Sequence, residues 1–225
     1  MIPERYMRQS AIVGAEGQRL LAEKTVLIVG CGGLGGHLIE HMLRLGVGTI
    51  LALDPDCFEA SNLNRQILAT EALLGTPKAD AAAARAAAVN SDTLFRPIAE
   101  AFTAENGDAL VRGCDLVLDG LDNAPDRLLL EDVCARQGVP LVHGAILGGL
   151  VQAAVVPPGS GLLRRLYSGA APTAGGRESI TYAPACCAAM QCAQATGLLL
   201  GRRPALWGRV LLLDMDTMEE EIFTI

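Results

Sequence analysis

Residues 25–35 read Thr25-Val26-Leu27-Ile28-Val29-Gly30-Cys31-Gly32-Gly33-Leu34-Gly35. Val26 to Val29 is an unbroken apolar run, the pattern of a parallel strand buried on both faces. Gly30, Gly32 and Gly35 supply G-x-G-x-x-G spacing, and an amphipathic stretch from about Gly36 to Leu45 follows. That order predicts strand, tight turn and helix. The glycines let the backbone approach a pyrophosphate, and free N–H groups at the helix start point at the anion. Asp54 ends the next apolar run, Thr49 to Leu53, where a carboxylate can accept hydrogen bonds from ribose hydroxyls. Residues 25–54 therefore predict a nucleotide site.

Outward from this unit, apolar groups at Ile12, Val13, Leu20 and Leu21 predict one or two short helices within 5–23. An irregular polar stretch runs from Asp56 to Gln66. Thr76-Pro77-Lys78 then opens an Ala-rich helix to about Val89, with Thr76 as its cap and Pro77 in its first turn. Strands are predicted at 94–98, 115–119 and from 140 to 143, with helices at 104–112 and 125–137 between them. Such alternation implies α/β architecture, a doubly wound, Rossmann-like, mostly parallel sheet. After residue 143 the pattern changes to a pair of strands within 144–156 and a Gly-rich crossover at about 159–181. An apolar helix (184–200) and closing strands (207–214, 219–224) follow, so the sheet continues with antiparallel strands at its C-terminal side. The expected organisation is one domain over 1–225, with a nucleotide-binding half (25–143) and a partner-binding half (144–225).

The 225 residues carry a formal net charge of −7 and 51% hydrophobic residues. Such a balance disfavours nucleic acid as the main partner, because phosphate backbones reward clustered Lys and Arg. No apolar run reaches membrane-span length and no secretory leader opens the chain, so a cytoplasmic protein is expected. Seven cysteines, odd in number and without a C-x-x-C pair, suit buried thiols in a reducing compartment.

Open sheets of this kind bind ligands at the carboxyl ends of their strands. Asp54, Asn62, Arg65, Lys78, Asp119 and Asp122 should converge there. A ribose-binding acid, two cations, an amide and further acid suit a triphosphate with magnesium: cations neutralise phosphate and oxygen ligands hold the hard ion. A nicotinamide-dependent oxidoreductase would explain the glycine turn and Asp54 but leaves the cations idle. His37-Leu38-Ile39-Glu40-His41 matches an H-x-x-E-H zinc pattern, on a helix whose amino end should face phosphate instead.

Taken together, several motifs resemble the MoeB/ThiF/HesA family, the bacterial relatives of ubiquitin-activating enzymes. They are Arg5-Tyr6-Met7-Arg8-Gln9, Gly30 to Gly35, Leu53-Asp54-Pro55-Asp56, Ser61-Asn62-Leu63-Asn64-Arg65-Gln66, Pro77-Lys78 and Asp119-Gly120-Leu121-Asp122-Asn123. They run in family order over about residues 5–200. The resemblance implies an adenylyltransferase that uses ATP to activate the C-terminal glycine of a ubiquitin-like sulfur carrier of the MoaD or ThiS type, releasing pyrophosphate. It implies that Gly30, Gly32, Gly33, Gly35 and Asp54 cradle the nucleotide, with Asp54 on the ribose. Asn62, Arg65 and Lys78 would hold the phosphates, and Asp122, beside Asn123, would engage Mg2+. Arg8 would reach the ATP of the other subunit of a homodimer. The implied partners are a Gly-Gly-ending carrier and a sulfur donor such as a cysteine desulfurase, in molybdopterin, thiazole or related synthesis.

This sequence departs from the family's pattern in three ways. Asn64 stands where the family usually has Gln. The two C-x-x-C pairs that commonly bind zinc are missing, with Leu162 to Tyr167 in place of the first, so zinc is not expected and the crossover should be more mobile. No cysteine lies between 135 and 185, so a covalent carrier linkage there is unsupported. Cys186, Cys187 and Cys192 read as small core residues, with a nucleophilic thiol near a helix start as the other possibility. Apart from the oxidoreductase, the competing readings are a non-catalytic activating-enzyme-like subunit and adenylation of a tRNA base.

Overall fold

Residues 2–168 and 179–225 are described by a computed structural model. They form strands β1 (Thr25–Val29), β2 (Thr49–Leu53), β3 (Leu94–Ile98), β4 (Leu116–Asp119), β5 (Leu141–Leu147), β6 (Leu150–Val156), β7 (Val210–Asp214) and β8 (Glu219–Phe223), with the apolar runs of Val, Ile and Leu in the central ones and the more polar β3 and β8 at the two edges. All join one sheet in the order β3-β2-β1-β4-β5-β6-β7-β8. The first five are parallel, and β5 to β8 pair antiparallel. The change of direction is local: β5 and β6 form a hairpin across Gly148-Gly149, where Gly148 takes a positive φ of 58°. Pro97 lies in β3, an edge strand, where its missing N–H costs no ladder bond.

Helices α1 (Ser10–Ala22), α2 (Gly33–Leu45), α3 (Lys78–Val89) and α7 (Tyr182–Leu199) bury apolar side chains against one face. Helices α4 (Gly107–Val111), α5 (Ala124–Gln137) and α6 (Leu162–Leu166) cover the other. Alanines and cysteines line the inner side of α7, with Ala183, Cys187, Ala188 and Ala195 at 0% exposure, and let it lie close to the sheet. No described helix is long and apolar enough to cross a membrane.

Several boundaries differ from the sequence reading, each for a physical reason. Helix α2 starts at Gly33, not Gly36: the Gly36 N–H donates to Gly32 O at 2.9 Å, so the glycines themselves form its first turn. Pro77 precedes α3 in extended backbone and occupies the cap position expected of Thr76, whose side chain makes no cap bond. Helix α4 is shorter than 104–112, because Thr103 and Asn106 exchange side-chain-to-backbone bonds that close a turn before it. Strand β5 runs on to Leu147, so it is itself the first member of the expected pair.

The crossover is not wholly irregular. It opens with α6, held to α5 by the buried Glu131 carboxylate, which accepts from Leu163 N at 2.9 Å and Arg164 N at 3.0 Å. Arg164 reaches back to both carboxylate oxygens of Asp132. Residues 169–178 of the expected crossover lie outside the described residues.

Candidate active site

Strand β1 lies between β2 and β4, so successive crossovers leave it on opposite sides and open a crevice at its carboxyl end. The glycine turn fills that crevice with bare backbone. A Cβ on Gly35 would lie 1.7 Å from Gly30 O, and one on Gly30 would lie 2.6 Å from Gly120 O. Gly30 also needs its positive φ of 96°. The β4 exit is thereby pressed against the turn, with Gly120 N donating to Val29 O at 2.8 Å. No side chain caps the start of α2, which leaves its first N–H groups for an anion.

Asp54, 5% exposed at the end of β2, accepts from Cys31 N at 2.7 Å and Asp56 N at 2.9 Å. Burial raises its pKa, while those two N–H groups and Lys78 oppose the rise. Lys78, the first residue of α3 and 7% exposed, places Nζ 2.9 Å from Asp56 and 3.8 Å from Asp54. One buried ammonium thus faces two carboxylates beside the glycine turn. Burial and the nearby Asp54 also push the Cys31 thiol far up, keeping it protonated.

Asn62 is buried, its side-chain oxygen accepting from Glu59 N at 3.0 Å in a reciprocal cap. Arg65 is half-buried, with Cγ 3.8 Å from where a Gly33 Cβ would stand, and its guanidinium rests on Ser61 O and Asn64 Oδ1. The buried Gln66 lies against Gly32, and its Oε1 has no hydrogen-bond partner among the described residues. Asp122 is exposed just beyond the β4 exit. Asn123 caps α5, accepting from Asp126 N at 3.0 Å, so its side chain has a structural task of its own. The uncapped helix start, the bare turn and two cations fit a phosphate chain. The exposed Asp122 carboxylate is a hard-oxygen donor of the kind that suits Mg2+.

Arg8 stands apart from these groups. Its neighbours Tyr6 and Gln9 pack at the carboxyl end of α2: Gln9 Nε2 donates to Leu45 O at 3.0 Å, and a Gly46 Cβ would meet the Tyr6 ring at 2.7 Å. The 13 residues of α2 separate that end from the glycine turn by about 20 Å. Arg8 is exposed and makes no hydrogen bond or ion pair among the described residues.

Sequence reasoning missed the polar network behind the β4 exit. Asp119, fully buried, accepts from Leu121 N at 2.8 Å and lies 2.6 Å from His143 Nδ1 and 3.4 Å from Arg127 Nε. Arg127 donates to Leu121 O at 2.6 Å and stands over the Tyr167 ring. Tyr167 Oη and Gln152 meet His143 Nε2. Complete burial lowers the His143 pKa against the pull of Asp119. These residues are spread over β4, α5, β5, β6 and the α6 exit, so no sequence spacing announces them. Asp119 belongs here, not to the nucleotide-facing groups.

In the H-x-x-E-H stretch, Glu40 is engaged by Arg44 and Arg85, and no metal-binding group of His, Cys, Asp or Glu occurs among the described residues. Cys187 and Cys192 are buried with pKa values raised by burial, the state of core thiols.

The family model described as the ThiF family matches residues 6–225. The SAMP-activating enzyme E1 of Haloferax volcanii is 37% identical, over 97% of this chain and 83% of its own length. The sulfur carrier protein adenylyltransferase of Thermus thermophilus is 35% identical, over 94% of this chain and 83% of its own. The crystal structure of Escherichia coli MccB with ATP superposes with a TM-score of 0.82 at 20% identity, covering 99% of this chain and 72% of that one. At that identity the likeness speaks for the fold.

Proposed function

The chain belongs to the ThiF family and is an adenylyltransferase of the ubiquitin-like-protein-activating type; we propose that it spends ATP on the C-terminal glycine of a sulfur-carrier protein. In this reading a carboxylate oxygen of the carrier attacks the α-phosphorus. The bond from that phosphorus to the bridging oxygen breaks, pyrophosphate leaves, and an acyl-adenylate forms. Such a step needs positioning and charge neutralisation more than a side-chain nucleophile.

The protein's own groups divide that work. Gly30, Gly32, Gly33 and Gly35 seat the phosphates, and Asp54 holds the ribose hydroxyls. Asn62, Arg65 and Lys78 hold the phosphate oxygens, with Asn123 keeping the Asp122 loop in place. Asp122 would hold Mg2+, which supplies further neutralisation when bound. Arg8 serves the site of the partner subunit in a homodimer, since it lies a helix length from its own. Residues 25–143 form the nucleotide half and 144–225 the carrier half, with a sulfur donor acting after release. Cytoplasmic location follows from the same reading.

The observation that carries this proposal is the pairing of an uncapped, side-chain-free helix start with a buried Lys78 and a half-buried Arg65. A hydride-transfer enzyme has no use for those cations. The test is ATP–pyrophosphate exchange with Mg2+ and a carrier ending in Gly-Gly. Carrier-dependent exchange is expected, and its absence with every cognate carrier refutes the proposal.

A further inference from the structure

The segment bearing Arg8 is fastened with more care than an exposed terminal turn requires. It is a short 3-10 helix, Glu4–Gln9, lying across the carboxyl end of α2. Tyr6 is buried, and its hydroxyl accepts from Asn90 Nδ2 at 2.7 Å. The same Asn90 amide donates to Leu43 O at 2.8 Å, and Asn90 Oδ1 accepts from Arg5 and from Asp92 N at 3.2 Å. On the other side, Gln9 donates to Gln18 Oε1 at 2.8 Å, and Gln9 and Gln18 both donate to Leu45 O at 3.0 Å. Gly46 leaves room for this: a Cβ there would stand 2.5 Å from Gln18 Nε2. Two of the carbonyls that end α2, Leu43 O and Leu45 O, are thus bound by side chains of the Arg8 segment or of its neighbours. Between the two fastened residues, Met7 and Arg8 are both exposed, and Arg8 is the charged one, with no hydrogen bond or ion pair among the described residues.

We propose that Tyr6, Gln9 and Asn90 are positioning residues, which fix the segment so that Arg8 is presented, preorganised, to the partner subunit's phosphates. The inference rests on the dimer reading above and adds to it. Helix α2 acts as one strut: its amino end receives the protomer's own nucleotide, and its carboxyl end carries the cation delivered to the other. A long arginine on a frayed terminus would have to be ordered in each catalytic cycle. Fastening the backbone beforehand removes that cost.

The clamp should therefore act in trans, which a merely structural role would not do. Gln9→Ala and Tyr6→Phe each remove side-chain hydrogen bonds and are expected to slow carrier-dependent pyrophosphate exchange about tenfold, the factor that goes with one net hydrogen bond. Thermal melts are expected to change little, while ATP affinity, which draws on the same contact, should weaken by no more than that factor. The deciding measurement uses dimers assembled from one Gln9→Ala chain and one Arg65→Ala chain, purified through two tags. The site on the Gln9→Ala chain then keeps its own phosphate ligands and receives Arg8 from a chain with an intact clamp. About half of the wild-type rate is expected. A mixed dimer slower than the Gln9→Ala homodimer overturns the proposal, as does a wild-type rate in both single variants or an active wild-type monomer. If Gln9→Ala fails to fold, the same pairing with Tyr6→Phe decides. Failure of the adenylation reading looks different: the wild type itself shows no exchange.

Discussion

Replacing Lys78 by Met keeps the stem of the side chain and deletes a buried charge between two acids. The stronger electrostatic debt falls on Asp54, because it is buried while Asp56 is two-thirds exposed. At the observed 3.8 Å, two unit charges interact by about 4 kcal/mol at an effective dielectric constant of about 20. Asp54 keeps its bonds from Cys31 N and Asp56 N, and Met adds apolar contact, so the net loss of stability at neutral pH should be about 2 kcal/mol. The Asp56 contribution is screened and adds under about 1 kcal/mol. Burial already holds the folded-state pKa of Asp54 above its ordinary 3.8, and removing Lys78 raises it further. Folding therefore favours the protonated acid more strongly in the variant, and the stability gap to wild type should close as pH falls through that folded value. Urea titrations at a series of pH values measure the gap, and calorimetry with ATP measures the accompanying loss of binding. A gap independent of pH, or undiminished ATP affinity, refutes the electrostatic account of this corner.

Other changes test the remaining parts. Gly35→Ala puts a methyl 1.7 Å from Gly30 O, so the turn must open; a loss of more than about 3 kcal/mol or of soluble expression is expected. Arg127→Met leaves the buried Asp119 with a neutral His143 and one backbone donor, and should lower stability by about 3 kcal/mol in chemical denaturation. The folded-state pKa of His143 lies below its ordinary 6.5, so below that pH the unfolded chain takes up a proton that the folded chain refuses. Stability should then fall on acidification, with half-buried His37 contributing in the same sense. His143→Gln should flatten part of that slope. Glu131→Ala removes the acceptor of two N–H groups at the start of α6 and should cost about 1–2 kcal/mol, read as earlier proteolytic cleavage near Leu163.

The parallel half of the sheet was legible in the sequence because its signals are local. Val26–Val29 followed by Gly30 and Gly35 fixes a strand, a turn and a helix within one window, and Thr49–Asp54 repeats the first step. The gathering of Asp54, Arg65 and Lys78 was also readable, since each follows a strand end or opens a helix beside the crevice. Helix starts were less so: whether Thr76 or Pro77 caps α3 depends on Asp56 O taking the Lys78 N–H, a contact across 22 positions. The Asp119–His143–Arg127–Tyr167 network and the Glu131 staple were invisible. Their members have no shared period, and only the folded sheet makes them neighbours. Arg8 was visible as a motif, but its distance from the glycine turn was not.

Sulfur chemistry offers a handle on the working molecule. Of seven thiols, five are buried, Cys186 is half-buried, and Cys57 alone is exposed. It sits in the loop whose preceding residue binds the Lys78 ammonium and whose own backbone bridges to Pro77. A maleimide dye would therefore report from the lip of the crevice without any cysteine having to be engineered in or out, and its emission would follow each filling and emptying of the site.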